Sequence, residues 1–217
     1  PRITHEIKNL LVAIKTFVQL VPKKFADEEF RENFSKVAVR EIARVGELVD
    51  RLRGIATTSA RPLARMDLRD SIEETLAVFQ GQLEQTRITV SRLYDADLPS
   101  VAGDPAQLKQ LFLNLFKNAT EAMEPGGELS IRLSSPETAG RHSLVVEVSD
   151  TGSGIPEAVL GRVFDPFVTT KPQGSGLGLS ICRGIADAHR ATIQIRNRPH
   201  GCGTTVVTEF PVAEPHT

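Results

Sequence analysis

The sequence has no tryptophan, one tyrosine, two methionines and two cysteines among its 217 residues. Cys182 and Cys202 lie too far apart for a C-x-x-C motif, and two cysteines are too few for a disulfide scaffold. Neither sign of charge is in excess. Lys plus Arg (26) nearly cancels Asp plus Glu (27), giving a formal net charge of -1. A general nucleic-acid binder usually carries a basic excess, so that class is disfavoured. No apolar run approaches the roughly 18 residues that a membrane span needs, and nothing resembles a signal peptide. The chain starts at Pro1 without an initiator Met, and we expect a piece of a longer protein. What is present, 40% hydrophobic and 24% charged residues, suits a soluble, cytoplasmic piece with no membrane contact of its own. Its length allows one large domain or two modest ones.

The first sixty residues read as two helices. Ile3, Ile7, Leu10, Ile14, Phe17 and Val21 repeat at alternating spacings of four and three, the rhythm of a coiled-coil seam. Leu11 and Val18 widen the stripe, which suits a helix in a four-helix bundle. Pro22 and two lysines end this helix, and Asp27 is placed to cap a second one. There Ala38, Ile42, Val45, Val49, Leu52 and Ala56 repeat the rhythm. Two helices bury too little surface alone, so the hairpin calls for a partner, most simply a second copy of itself.

Thr57 to Pro62 is small, polar and ends in proline, as a linker does. The expected organisation is a helical hairpin over 1–58, a linker over 59–64 and a second domain over 65–213. In the second domain Asp67 caps a predicted helix to about Gln85, and Ile88 to Leu93 alternate like a strand. Asp104-Pro105 is an N-cap followed by proline at N1, and Gln107 stands where a capping box returns its bond. Leu129 to Leu133 and Leu144 to Val148 alternate with period two. A helix is predicted after Gly178, then closing strands at Ile193 to Ile195 and Thr204 to Phe210. Strands interleaved with three helices imply an α+β layer structure.

Three segments carry candidate chemistry. Asn114-Leu-Phe-Lys117-Asn118-Ala119 lies in a helix with Asn114 and Asn118 on one face. Asp150-Thr-Gly152-Ser-Gly154-Ile155 directly follows a strand. Gly174-Ser-Gly176-Leu177-Gly178 opens a helix, where free N–H groups and the positive dipole end suit phosphate. Each alone is a weak signal. The three in this order resemble the N, G1 and G2 boxes of the nucleotide-binding fold shared by sensor histidine kinases, DNA gyrase, mismatch-repair ATPases and the ninety-kilodalton heat-shock chaperones. Phe164-Asp-Pro166-Phe167 resembles the F box of the histidine kinases, and Gly201-Cys-Gly203-Thr204-Thr205 the terminal G-x-G-T element. The resemblance runs from about Met66 to Phe210. The glycine run lacks a Rossmann unit's acidic partner, and no G-x-x-x-x-G-K-[ST] occurs.

The resemblance implies an α/β sandwich that binds ATP with Mg²⁺. Asp150 would accept from the adenine amino group, with Gly152 and Gly154 letting backbone approach the base. Asn118 would offer its amide oxygen to Mg²⁺, with Asn114 near the same ion. Gly174, Gly176, Leu177 and Gly178 would bring N–H groups to the phosphates, and Thr205 belongs to the terminal element. Thr169, Thr170 and Lys171 would form a short lid with Lys171 reaching the γ-phosphate; a plain loop charge is the alternative. Lys117 is a phosphate-contact candidate, with a solvated surface lysine as the alternative.

His5-Glu6-Ile7-Lys8-Asn9 resembles the H box of sensor histidine kinases. With Ile3 and Ile7 on the seam, His5 faces solvent, where a reacting imidazole must be reachable. The resemblance implies that His5 takes the γ-phosphoryl group of ATP, with Glu6 holding the other ring nitrogen. It then passes the group to an Asp of a response-regulator receiver. Asn9 stands where the family orients water for dephosphorylation, which extends the expectation to a bifunctional kinase and phosphatase. Phe-Val-Thr-Thr-Lys resembles nitrogen-regulation-type kinases. Leu10 and Leu11 stand where many members have proline, so a straighter helix is expected near His5. Alternatives on the same fold are a protein-serine kinase and a nucleotide-binding scaffold without catalysis.

Overall fold

The computed structural model describes residues 63–138, 141–171, 174–199 and 202–212. The chain separates into two units, Pro1–Ser59 and Ala60–Thr217, and every described residue lies in the second. The expected hairpin, with His5, Glu6 and Asn9, falls outside the described residues. The described elements run β1 (Ala64–Met66), α1 (Leu68–Thr86), β2 (Thr89–Tyr94), β3 (Val101–Gly103), α2 (Pro105–Ala122), β4 (Glu128–Ser134), β5 (Glu137–Thr138), β6 (Arg141–Asp150), α3 (Glu157–Leu160), α4 (Gly178–Ala188), β7 (Thr192–Asn197) and β8 (Thr204–Pro211).

The main sheet has the order β2-β4-β6-β8-β7, with β5 paired to β6. Only β2 and β4 pair in parallel; the rest of the sheet is antiparallel. Period two along β6 buries Leu144, Val146 and Val148 and leaves Val145, Glu147 and Ser149 half-buried. In register, Val148 stands opposite Ile131 on one side and Val206 on the other, so one apolar row crosses the sheet. Helices cover that face. Phe112 and Phe116 of α2 are fully buried, and Phe79 of α1 meets Phe116 edge-on at 6.2 Å between ring centroids. Each such side chain contributes roughly 1.5–3 kcal/mol through burial, which makes this face the core. The α+β layer structure expected from strands interleaved with helices is the one observed.

The helix starts follow the local sequence. Asp67 caps α1 by accepting from the Arg69 backbone N–H at 2.9 Å, and the Arg69 guanidinium beside it holds its carboxyl below the usual range. Asp104 caps α2, accepting from Ala106 at 2.9 Å and from Gln107 at 3.4 Å. The capping box is not completed as expected. Gln107 turns to the Asp104 carboxylate, and the Asp104 N–H donates instead to Nε2 of buried His189 at 3.0 Å. Because Nε2 accepts there, the ring proton sits on Nδ1 and donates to the Ile185 carbonyl at 2.7 Å. One neutral imidazole thus ties the start of α2 to the last turn of α4, and so aligns the two helices that bear the polar candidates.

Candidate functional site

Asp150 is the last residue of β6, and parity places it on the helix-covered face, ending the row Leu144, Val146, Val148. A carboxylate that terminates an apolar row is costly unless it is bonded. Its Oδ1 accepts from the Gly152 N–H at 2.8 Å and from the Thr204 N–H at 3.1 Å. The residue as a whole is buried, at 6% exposure. Burial pushes the Asp150 carboxyl above its usual range. The two backbone donors, and the charges of Arg198 and Lys171, pull the other way. Oδ2 accepts no bond among the described residues, which leaves it to read a donor on a ligand.

On α2, Asn114 and Asn118 share one face, and that face meets the start of α4. A Cβ on Gly178 would lie 3.5 Å from Nδ2 and 3.7 Å from Oδ1 of Asn118, and 4.0 Å from Oδ1 of Asn114. The α4 start carries no side-chain cap. Leu177 occupies the cap position, and the Ser180 hydroxyl donates to the Leu177 carbonyl at 2.9 Å rather than accepting. The first N–H groups of α4 are therefore left for a ligand, with the positive end of the helix behind them. Asn114 turns inward: its Nδ2 is buried beside the Cys182 thiol. Burial pushes that thiol up to about 12.

The lid candidates lie in a tight turn. The Lys171 N–H donates to the Thr169 hydroxyl oxygen at 3.1 Å and the Gly174 N–H to the Lys171 carbonyl at 3.1 Å. Gly176, at φ +68, stands so close to Phe167 that a Cβ would lie 2.5 Å from its carbonyl carbon, which explains the glycine. The F-box residue Phe164 packs its ring under the Arg183 guanidinium, 5.4 Å from the centroid, and so ties this segment to α4. Lys171 itself is engaged: its Nζ donates to Glu121 Oε2 of α2 at 2.6 Å. Lys117 is exposed, with Nζ 3.9 Å from Glu121 Oε1.

One expectation changes. Thr205 is on the other face of the sheet, its hydroxyl 2.9 Å from that of Ser149, because it pairs with Ser149 rather than standing next to Asp150. The residue that serves the site is Thr204, through its backbone N–H. Gly152 has a reason in the fold that the sequence does not show, the end of α2, since a Cβ would lie 2.5 Å from the Ala122 carbonyl oxygen. Three contributors were not anticipated. Glu121 stands seven residues after Asn114 and three after Asn118, so helical spacing alone could have found it. Arg198 donates to the Asp150 carbonyl at 3.2 Å. Asn197 had no sequence signal. Its side-chain amide accepts from the Ile155 N–H at 2.8 Å and donates to the Ile155 carbonyl at 2.7 Å, pinning the loop after Asp150 to β7. Asn197→Ala loses both bonds, and we expect thermal denaturation to show a cost of about 1–2 kcal/mol, or ~3–6 °C.

Among the described residues no group of three or more His, Cys, Asp or Glu side chains could hold a metal ion, and no helix is long and apolar enough to cross a membrane. The polar candidates are the Asp150 carboxylate at the end of β6 and the Asn114–Asn118 face set against the uncapped start of α4. Residues 103–214 match the family of histidine kinase-, DNA gyrase B-, and HSP90-like ATPases. Sporulation kinase A of Bacillus subtilis (strain 168) is 36% identical over 210 residues, which are 96% of this chain and 33% of that protein. The sensory histidine kinase/phosphatase NtrB of Rhizobium meliloti (strain 1021) is 35% identical over 88% of this chain and 53% of its own length. The chain therefore spans about a third to a half of these two relatives. Among solved structures, the catalytic domain of histidine kinase ThkA matches at a TM-score of 0.62 and 33% identity, covering 70% of this chain and 97% of that one. ThkA solved in complex with the response regulator protein TrrA matches at 0.76 and 27% identity, covering 98% of this chain and 60% of that one. The agreement of sequence and fold establishes that this chain belongs to the histidine kinase-, DNA gyrase B-, and HSP90-like ATPases, on their sensor histidine kinase branch.

Proposed function

We propose that the chain is the transmitter of a two-component sensor kinase: it binds ATP in the pocket between β6 and α4 and transfers the γ-phosphoryl group to His5. The observation that carries this reading is the Asn114–Asn118 face set against the uncapped start of α4, with the Asp150 carboxylate at the end of β6. These are an acceptor for an adenine amino group at one end and donors for phosphates at the other. The residues fit Mg²⁺ as well. This ion keeps several waters and needs only one or two protein oxygens beside the phosphates, so Asn118 is a sufficient ligand without an acidic cluster. When bound, Mg²⁺ would neutralise the charge that develops between the β- and γ-phosphates.

In the transfer, an imidazole nitrogen of His5 forms the new P–N bond as the bond from phosphorus to the bridging oxygen breaks. ADP leaves with the electron pair, and Glu6 holds the proton of the other ring nitrogen. Catalysis then rests on positioning and electrostatics, as in other phosphoryl transfers. The phosphoryl group passes next to an Asp of a response-regulator receiver docked on a dimeric hairpin, residues 1–58. Asn9 would orient a water that attacks the receiver's aspartyl phosphate, breaking its P–O bond to release inorganic phosphate and restore the Asp carboxylate. A relative solved with its response regulator, and another named as kinase and phosphatase, support this extension. The placement we propose is cytoplasmic.

The test is incubation with γ-labelled ATP and Mg²⁺. Label that is acid-labile, base-stable and mapped to His5 by mass spectrometry is the expected result. Acid-stable label on serine would replace this reading with a serine kinase. Nucleotide binding without label, in a chain extended before Pro1, would replace it with a scaffold.

A further inference from the structure

Glu121 lies on the same α2 face as Asn114 and Asn118, the face that meets the start of α4. A bare carboxylate there would repel phosphate. It is not bare, because Lys171 Nζ lies 2.6 Å from Oε2 and Lys117 Nζ 3.9 Å from Oε1. The turn that delivers Lys171 is internally bonded through Thr169 and Gly174, and the Lys171 charge reaches as far as Asp150. Both partners in the close pair are about one-third exposed, at 35% and 38%. An ion pair so open to water is weak, so a more highly charged acceptor can take the lysine from it.

Resting on the reading of this pocket as an ATP site, we infer that Glu121, by holding Lys171, moderates the pocket's preference for a nucleoside triphosphate over a diphosphate. The carboxylate holds Lys171 until a γ-phosphate takes its place. A diphosphate lacks the group that substitutes for Glu121, so Lys171 stays paired and contributes nothing to its binding. Glu121 thus lowers the triphosphate preference that Lys171 would otherwise confer, and Lys117 remains to balance its charge once Lys171 has left. Fold and pocket are untouched by this exchange.

Titration calorimetry of the whole chain with Mg²⁺ and either a non-hydrolysable ATP analogue or ADP tests this. Glu121→Gln keeps the helix and removes the competitor. It is expected to tighten binding of the triphosphate analogue about two- to five-fold, the range an exposed ion pair represents, and to leave ADP unchanged. In a Lys171→Ala background the same substitution is expected to change neither. An equal gain for both nucleotides, or a gain that survives Lys171→Ala, overturns the inference, because simple repulsion by the carboxylate predicts both. Failure of the unmutated chain to bind either nucleotide would instead remove the ATP site, and the inference with it.

Discussion

Asp150→Asn is expected to weaken adenine-nucleotide binding by at least about a hundredfold while leaving the melting temperature unchanged or higher. The two halves of this result have one cause. Oδ1 of Asp150 accepts two backbone N–H groups, from Gly152 and Thr204, and Oδ2 is the atom left for a ligand. An asparagine must keep its oxygen on those two donors, because turning its NH₂ toward them would leave three donors facing one another. The amide nitrogen is then forced outward, where it meets the amino group of adenine, donor against donor. A site built to accept a hydrogen bond and made to donate loses the bond and buries two unpaired groups. That costs on the order of 3 kcal/mol or more, which is a hundredfold in affinity.

The stability half follows from the sign of the shift. Burial raises the Asp150 carboxyl above its value in the unfolded chain, so its ionised form is disfavoured in the fold. The stability this group supplies is present below its unfolded value and lost as the pH rises through the raised one. At neutral pH the wild-type chain bears that penalty and the asparagine variant does not. The difference in melting temperature is expected to shrink as the pH falls toward the usual carboxylate range. Fluorescence titration with ADP and thermal scans at several pH values measure both effects, and unimpaired binding by the variant would remove Asp150 from the adenine contact.

Asp150 was legible in the sequence because two patterns overlap at it. Period-two alternation from Leu144 places it on the buried face, and the D-x-G-x-G run ends the strand there. The start of α2 was legible for a local reason as well, the Asp104-Pro105 cap, and so was its apolar stripe. The β1–β3 pair was not. It joins Ala64–Met66 to Val101–Gly103, two segments of three residues too short to show a period and held together across one helix and one strand. Nor was the partner of the Asp104 N–H, because His189 lies 85 positions away and reaches it only after α4 has packed on α2. The glycines show the same division. That Gly152 must be glycine was readable, but the atom that demands it, the Ala122 carbonyl oxygen, belongs to another element. For Lys171 the sequence leaves open a lid charge for the γ-phosphate or a plain loop charge, and its partner Glu121 depends on the turn that brings it onto α2.

Gly203 gives the complementary result, in which fold and binding fail together. Its φ of +120° lies where L side chains are strained, and a Cβ there would overlap the Asp150 carbonyl oxygen and lie 3.0 Å from Thr151 Cα. Both obstacles are backbone, so no rotamer change relieves them and β6 must move away from the turn before β8. That movement takes the Thr204 N–H off the Asp150 carboxylate and the Gly203 carbonyl off the Arg198 N–H, now 3.0 Å away. Gly203→Ala is therefore expected to cost about 3 kcal/mol or more, a fall of roughly 6–12 °C in melting temperature, with nucleotide affinity dropping alongside. Gly81→Ala and Gly184→Ala serve as contrasts. They sit inside α1 and α4 with nothing within 4 Å of the added methyl, and each should stabilise the chain by about 0.5–1 kcal/mol through helix propensity. If thermal scans show Gly203→Ala as harmless as these two, then the turn before β8 does not hold Asp150 in place.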